Sequence, residues 1–279
     1  MSVTAFAPGH VTGLFEICSA VDPAMAGSRG AGICLSRGAT SIVAPHASRT
    51  TVTVNGKPGG EVTRDAIREL TDRHVTAEIT LELPMSQGFG MSAAGTLATT
   101  LAAADLYGLS RAAAVRAAHV AEVRHMTGLG DVVPAAVGGI EIRMTSGAEG
   151  AIRHIHGEGE MVVATVGPEL RTARVLQEAE TRDMITTVGR RCMESLLARP
   201  SLEHLFTLSR RFAGETGLMS DRVQQALDAV EPHGMASMCM LGNAVFAMGD
   251  TDMLVGVLSR YGDIWMCDID RRGARLLEK

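Results

Sequence analysis

Between residues 84 and 108 the chain reads PMSQGFGMSAAGTLATTLAAADLYG, a glycine-rich turn feeding into a long small-residue helix. The chemistry this suits is the holding of phosphate. Backbone N–H groups at a helix start lack internal partners and sit at the positive end of the macrodipole, so Gly88, Gly90 and Ser92 would let an anion approach closely. The Ser92 hydroxyl can reach a cation beside that anion, and Glu122, on the neighbouring helix, is a hard carboxylate suited to Mg²⁺. Asp131 follows Gly128 and Gly130, so the backbone can bring it against an acceptor hydroxyl as a general base. Each has a plainer reading. Ser92 could be a helix cap, Glu122 a solvated helix face beside Arg116 and His119, and Asp131 the N-cap of a short helix VVPAAV with Pro134 early in its first turn.

The elements around the turn decide which phosphate loop it is. The pattern GxxxxGK[ST] fails, because the Gly56-Lys57 pair is followed by Pro58, with no hydroxyl to hold a metal ion. Gly88, Gly90 and Ala93 read GxGxxA after a strand-like ITLEL at 79 to 83, as a dinucleotide site would. That fold needs strand, helix, strand. Here the helix at 91 to 107 is followed by a second helix, capped by Ser110 and running through RAAAVRAAHVAEVRHM. An ordinary glycine-rich turn before a core helix is the remaining plain reading.

The loop resembles that of the GHMP kinase superfamily, PxxxGLGSSAA opening a buried helix. Pro84, Gly88, Phe89, Gly90, Ser92, Ala93 and Ala94 occupy the corresponding places, with Met91 where the first serine would stand. Two further segments resemble it in order along the chain. AFAPGHVTGLFEI at 5 to 17 is similar to the superfamily's first motif, and AHVAEVRHMTGLGDVVPAAVGGIEIR at 118 to 143 supplies Glu122, His125, Gly128, Asp131, Gly138 and Gly139 as mevalonate kinase-like members do. Within the superfamily, His10, the GSRGAG run at 27 to 32, QGFGMSAAG at 87 to 95 and HMTGLGDVVPAAVGGIEIR at 125 to 143 look like the archaeal pantoate kinases.

The resemblance implies a transferase that moves the γ-phosphate of ATP to pantoate for archaeal coenzyme A biosynthesis. Homoserine, mevalonate or shikimate are alternative acceptors, and a ligand-sensing relative without turnover is the non-enzymatic alternative. It implies that Gly88, Phe89, Gly90, Met91, Ser92, Ala93 and Ala94 bind the nucleotide, that Ser92 and Glu122 share the Mg²⁺, and that Asp131 and His10 are catalytic. His10 stands where mevalonate kinase-like members carry a lysine. A histidine is charged only below a pKa of about 6.5, so binding substrate or simply packing stay open for it. A pantoate site must fix a carboxylate and two hydroxyls. Arg143 is the first choice for the carboxylate, since a guanidinium offers two parallel donors, with Ser28, Arg29 and His125 as further substrate-binding residues. Read without the resemblance, Arg143 is a surface strand position. The third motif is usually a glycine cluster, of which ASMCMLGNAVFAMG at 236 to 249 keeps only Gly242.

The implied fold is α+β, a two-lobe GHMP kinase with a ribosomal-protein-S5-like N-terminal lobe over 1–150 and a ferredoxin-like C-terminal lobe over 151–279. Local patterns agree with mixed structure. ICLSRG at 33 to 38, ATSIVA at 39 to 44 and TTVTVNGK at 50 to 57 are β-branched runs between turn residues, and a short helix is expected around 65 to 73. IEIRM at 140 to 144 and IRHIH at 152 to 156 alternate with period two. TSGAEG at 145 to 150 between them reads as a domain boundary or a hairpin turn. MVVATVG at 161 to 167 reads as a buried strand, and Met184 to Leu197 form one helical stripe stopped by Pro200.

Bulk properties narrow the partners. With 279 residues and 46% hydrophobic content the chain can bury a sizeable core, and a net charge of −5 without basic runs argues against nucleic acid. Five scattered cysteines without CxxC spacing indicate neither disulfides nor zinc. The absence of a basic and apolar leader, or of about 18 uninterrupted apolar residues, makes a membrane partner unexpected and the cytoplasm the default location. Self-association as a homodimer stays open.

Overall fold

The computed structural model describes residues 1–170 and 177–278. Two long strands, β1 (Val3–Cys18) and β2 (Gly27–Pro45), pair antiparallel along almost their whole lengths and form the spine of the first sheet. The short strands expected at 33–38 and 39–44 are one continuous strand. The ladder absorbs Pro8, which cannot donate a hydrogen bond, as an irregularity between Pro8 and Gly9 rather than by stopping. Around this spine lie β3 (Thr51–Val54), β4 (Lys57–Pro58), β5 (Val75–Leu81), β6 (Ile140–Arg143), β7 (Ile152–Ile155) and, from the far end of the chain, β12 (Arg275–Leu277). The order is β12-β1-β2-β5-β3-β4, with β6 on the other half of β2 and β7 outside β6.

The second sheet holds β8 (Glu160–Thr165), β9 (Gly234–Met238), β10 (Ala244–Gly249) and β11 (Ile264–Asp268) in the antiparallel order β11-β8-β10-β9. That order is the ferredoxin-like one expected for the C-terminal half. Helices α5 (Ala179–Ala198), α6 (Leu202–Glu215) and α7 (Asp221–Val230) fall between β8 and β9, and α8 (Thr251–Leu258) between β10 and β11. The division expected at residue 150 is not where the sheets part. Residues 145–150 lie in the hairpin joining β6 to β7, so 152–155 extends the first sheet, and β12 returns the C-terminal end to β1.

On the first sheet lie α1 (Glu61–Leu70), α2 (Met91–Tyr107), α3 (Arg111–His125) and α4 (Val132–Val137). Helix α1 begins four residues before the expected 65, left-handed Gly60 preceding its first turn. Helix α2 is covered on several sides, by β1 and β2 beneath and by α1 and α3 beside it. Its Ala, Gly and Thr content follows from that position, because only small residues let four neighbours approach one helix. Its buried hydroxyls are satisfied pairwise, Thr96 with Thr63 at 3.0 Å and Thr99 with Ser41 at 2.8 Å.

Candidate active site

The N-terminus of α2 opens into a cavity of about 590 Å³ that runs from β4 and the start of α1, past the turn at 88–92, to Ser28 and Asp131. Gly90 precedes α2 at φ 65°, a left-handed conformation that a Cβ would strain, and it has no side chain to cap the helix. The first helical bond is donated by Ala94 to Gly90, which leaves the N–H groups of Met91, Ser92 and Ala93 free of helical acceptors. Phe89 and Met91 are buried, Phe89 edge-on to Trp265 of β11, so these side chains anchor the turn while its backbone lines the cavity.

The second lobe supports the same turn. Met240 donates its N–H to the Thr12 carbonyl at 3.0 Å, and Gly242 packs so closely on Gln87 that any Cβ there would overlap its carbonyl group. The single glycine kept from the third motif is thus the one on which the turn rests.

Ser92 does not cap its helix. Its hydroxyl donates to Glu122 Oε1 at 2.6 Å, and Thr127 donates to Oε2 at 2.9 Å. Glu122 is 2% exposed, which overturns the solvated-face reading: α3 turns this residue inward toward α2, while Arg116 pairs outward with Glu69. Burial pushes the Glu122 carboxyl up to about 7, against the pull of the two hydroxyls. A buried carboxylate whose partners are neutral is a site for an added cation. Ser92 and Glu122 fit a hard divalent ion, and Lys57 is the only Lys, Arg or His side chain that lines the cavity among the described residues. No cluster of three or more His, Cys, Asp or Glu side chains is placed to hold a metal unaided among those residues, so further ligands would come from phosphate and water.

Asp131 precedes α4 as expected of a cap, yet its carboxylate makes no capping bond. It accepts instead from His10 Nδ1 at 2.8 Å and from the Thr12 hydroxyl at 3.3 Å. Burial works to raise this carboxyl, but the His10 bond, the His10 and Arg143 charges and the Thr12 hydroxyl together hold it below the ordinary value. A side chain at Gly128 would touch both Glu122 and Asp131, so the two carboxylates face one another across this turn.

His10 lies behind Asp131, outside the cavity lining and 1% exposed, so direct substrate binding is not where the structure puts it. The expectation of ordinary histidine titration is also corrected. Burial disfavours its charge, but Asp131 on one ring nitrogen and Glu141 on the other, at 2.8 and 3.0 Å, raise its pKa above the usual value.

The substrate-binding candidates divide. Ser28 is buried and lines the acceptor end. Arg143 is 2% exposed, which removes the surface-strand reading. It lies beneath the cavity against Gly130, and Nη1 donates to Glu141 Oε1 at 2.7 Å. Arg29 is turned away from the cavity, because alternation along β2 sends it to the opposite face from Ser28, where it meets Glu16 at 3.3 Å. His125 is not brought to the cavity either. It sits on the side of α3 that meets α1, 2.7 Å from Asp65.

Thr12, Thr127 and Glu141 were not foreseen. For Thr12 and Glu141 a signal existed: His10 and Thr12, like Glu141 and Arg143, are two apart on strands and so share a face. Between those strands β2 contributes Gly30 and Gly32, whose missing side chains leave the room that Arg143 and His10 occupy.

A helix-start phosphate cradle, a hydroxyl–carboxylate pair and an ionised aspartate inside a two-sheet fold define a kinase of the GHMP class. The family described as GHMP kinases N terminal domain matches residues 61–139. A homoserine kinase from Cytophaga hutchinsonii shares the fold over 99% of this chain and 97% of its own, with a TM-score of 0.74 at 14% identity. A solved phosphotransferase related to the CoA biosynthesis pathway lies nearer, with a TM-score of 0.90, 28% identity and 99% of both chains covered. The pantoate kinase of Methanospirillum hungatei is 33% identical over 99% of this chain and 96% of its own, and that of Thermococcus kodakarensis 34% identical over 89% and 88%. The chain belongs to the pantoate kinase family.

Proposed function

We propose that this chain transfers the terminal phosphoryl group of ATP to the primary hydroxyl of pantoate, giving 4-phosphopantoate for coenzyme A synthesis. The observation that carries this is the facing pair of carboxylates, buried Glu122 beside a hydroxyl at the phosphate cradle and half-buried Asp131 at the acceptor end. The triphosphate would run along the free N–H groups of Met91, Ser92 and Ala93. Mg²⁺ held by Ser92 and Glu122 would supply the positive charge that screens the transferring group. The apolar stretch around Val54, Pro58, Val62 and Ile79 suits the nucleotide base.

At the other end Ser28 and Thr12 offer hydroxyls to the acceptor, and Arg143 beneath them supports its carboxylate with positive charge. Asp131 orients the attacking hydroxyl and receives its proton. A carboxylate held below its ordinary pKa is a weak base, which suits a loose transfer in which that proton leaves late. The reading carries a small-molecule substrate, with neither nucleic acid nor membrane as a partner. No helix among the described residues is long and apolar enough to cross a membrane. A cytoplasmic location and a homodimer complete the proposal.

The test is ADP release across pantoate, homoserine, mevalonate and shikimate with and without Mg²⁺. Turnover with pantoate alone, lost on chelation, is expected. Turnover with another acceptor only would move the chain within the class, and turnover with none would favour a ligand-sensing role.

A further inference from the structure

The mechanism above uses Asp131 and leaves unused the polar cluster beneath it. His10 on β1 contacts Asp131 with one ring nitrogen and Glu141 of β6 with the other, and Glu141 in turn accepts from Arg143. Glu141 is fully buried and does not line the cavity, so it touches no ligand. A neutral imidazole owns one N–H and one lone pair, whereas an ionised carboxylate can only accept. With carboxylate oxygens at both nitrogens, a neutral ring would turn a lone pair against a lone pair.

The arrangement that satisfies both contacts is an imidazolium between two carboxylates. With Arg143 included the set holds two negative and two positive charges, which makes its burial tolerable. The other groups around His10 do not compete for its protons. The Thr12 hydroxyl on the same strand is 3.4 Å from His10 Nδ1, farther than the Asp131 oxygen at 2.8 Å, and donates to Asp131. Cys34 opposite His10 on β2 is a thiol that burial keeps protonated, and Asp270 near Cys34 is paired with Arg275. From the turn before α2 the Phe89 carbonyl accepts the His10 backbone N–H at 3.0 Å, and the nearby Met91 side chain is apolar.

We propose that Glu141 is a positioning residue for phosphoryl transfer: by accepting the second N–H of His10 it keeps that ring doubly protonated, and the ring in turn holds the Asp131 carboxylate ionised and in one orientation at the acceptor end. This rests on the pantoate kinase reading only for its kinetic consequence. The raised pKa of His10 agrees with it. The glycines of β2 belong to the same device, since a Cβ on Gly32 would stand 2.5 Å from His10 Nε2 and displace the ring from Glu141.

The experiment pairs ring ¹⁵N NMR of His10 in the ligand-free protein with pH profiles of pantoate-dependent ADP release, for wild type and Glu141→Gln. In the wild type both ring nitrogens should still carry protons above the ordinary histidine midpoint of about 6.5. In Glu141→Gln the ring should lose its second proton at a lower pH than in the wild type. Its kcat should match wild type near the acid end and fall about tenfold at the alkaline end, with the KM for ATP within about twofold. A merely structural role would lower kcat equally at every pH. A wild-type His10 with a single protonated ring nitrogen near neutrality, or superimposable pH profiles, overturns the assignment. The wild-type spectrum decides even if Glu141→Gln does not fold. It needs no acceptor, so failure of wild-type turnover with pantoate would remove the functional reading and leave the Glu141 assignment separately tested.

Discussion

Two carboxylates face each other across Gly128, and their environments drive them in opposite directions. Glu122 meets only hydroxyls, from Ser92 and Thr127, and burial lifts its pKa to about 7. Asp131 is only half-buried, and an imidazole and a guanidinium behind it hold its pKa below the ordinary value. Burial is the largest single influence on both. What separates them is whether the positive charge is built into the protein or left to be supplied. Under the proposed function Glu122 is a half-site that a cation would complete, whereas Asp131 has its counter-charge within the protein before any ligand arrives. On that reading one cavity would hold a metal ligand and a proton acceptor made from the same functional group.

The largest effect should come from removing the half-site. Glu122→Gln is expected to lower kcat about a thousandfold, because the charge that screens the transferring phosphoryl loses its anchor. The same change should stabilise the ligand-free protein at higher pH. Since the folded pKa of Glu122 is about 7 against an ordinary 4.5, the folded chain retains a proton over that interval that the unfolded chain has released. Wild-type stability therefore falls as pH rises from about 4.5 to about 7, by on the order of 3 kcal/mol from this group, and the loss should be absent in Glu122→Gln. Thermal melts without Mg²⁺ at several pH values check this. A wild type that gains stability through that window would break the comparison.

Asp131→Asn comes next. Turnover should fall by about a hundredfold or more while ATP affinity stays near normal, as measured by steady-state kinetics with each substrate varied. Its pH behaviour has the opposite sign. The stability that ionised Asp131 contributes is present above its ordinary pKa and disappears only as pH falls through the lower folded value, so the variant should differ from wild type at neutral pH and converge with it in strong acid. Unchanged turnover would remove Asp131 from the chemistry.

The smallest effect sharpens the comparison rather than breaking it. Gly128→Ala places a methyl about 3 Å from Glu122 Oε2 and from Asp131 Oδ2, both ends of side chains that can yield slightly. We expect about a fivefold loss of kcat. Carboxyl ¹³C titration should move Glu122 further upward, because its only partners are neutral, and leave Asp131 nearly unchanged. Equal movement of both would show that their environments are less distinct than the geometry indicates.

The helix start proposed as the cradle was readable from residues 84 to 108, because its geometry is local. A left-handed glycine, the helix it starts and the N–H groups exposed there lie within a few positions of one another. Ser110 as the cap of α3, the strand at Ile140–Arg143 and the buried helical stripe from Ile185 to Leu196 were legible for the same reason, although all four residues of that strand are buried and Met184 is exposed. Strand length was not, since the pairing of β1 with β2 carries both strands through Pro8 and Gly38, where local propensity would end them. The substrate candidates went astray at Arg29 and His125 because strand face and helix face depend on what packs opposite. Arg29 found Glu16 and His125 found Asp65.

From its sequence alone this chain is a phosphate-binding enzyme of recognisable class, because the motifs that bind phosphate act over a handful of consecutive residues. The charge states that make the site work were decided only in three dimensions. His10, Asp131, Glu141 and Arg143 come from two strands and a turn far apart in the chain and meet over the glycines of a third strand. A pKa is set by burial and by neighbours within a few ångströms, and neither is written in the order of residues.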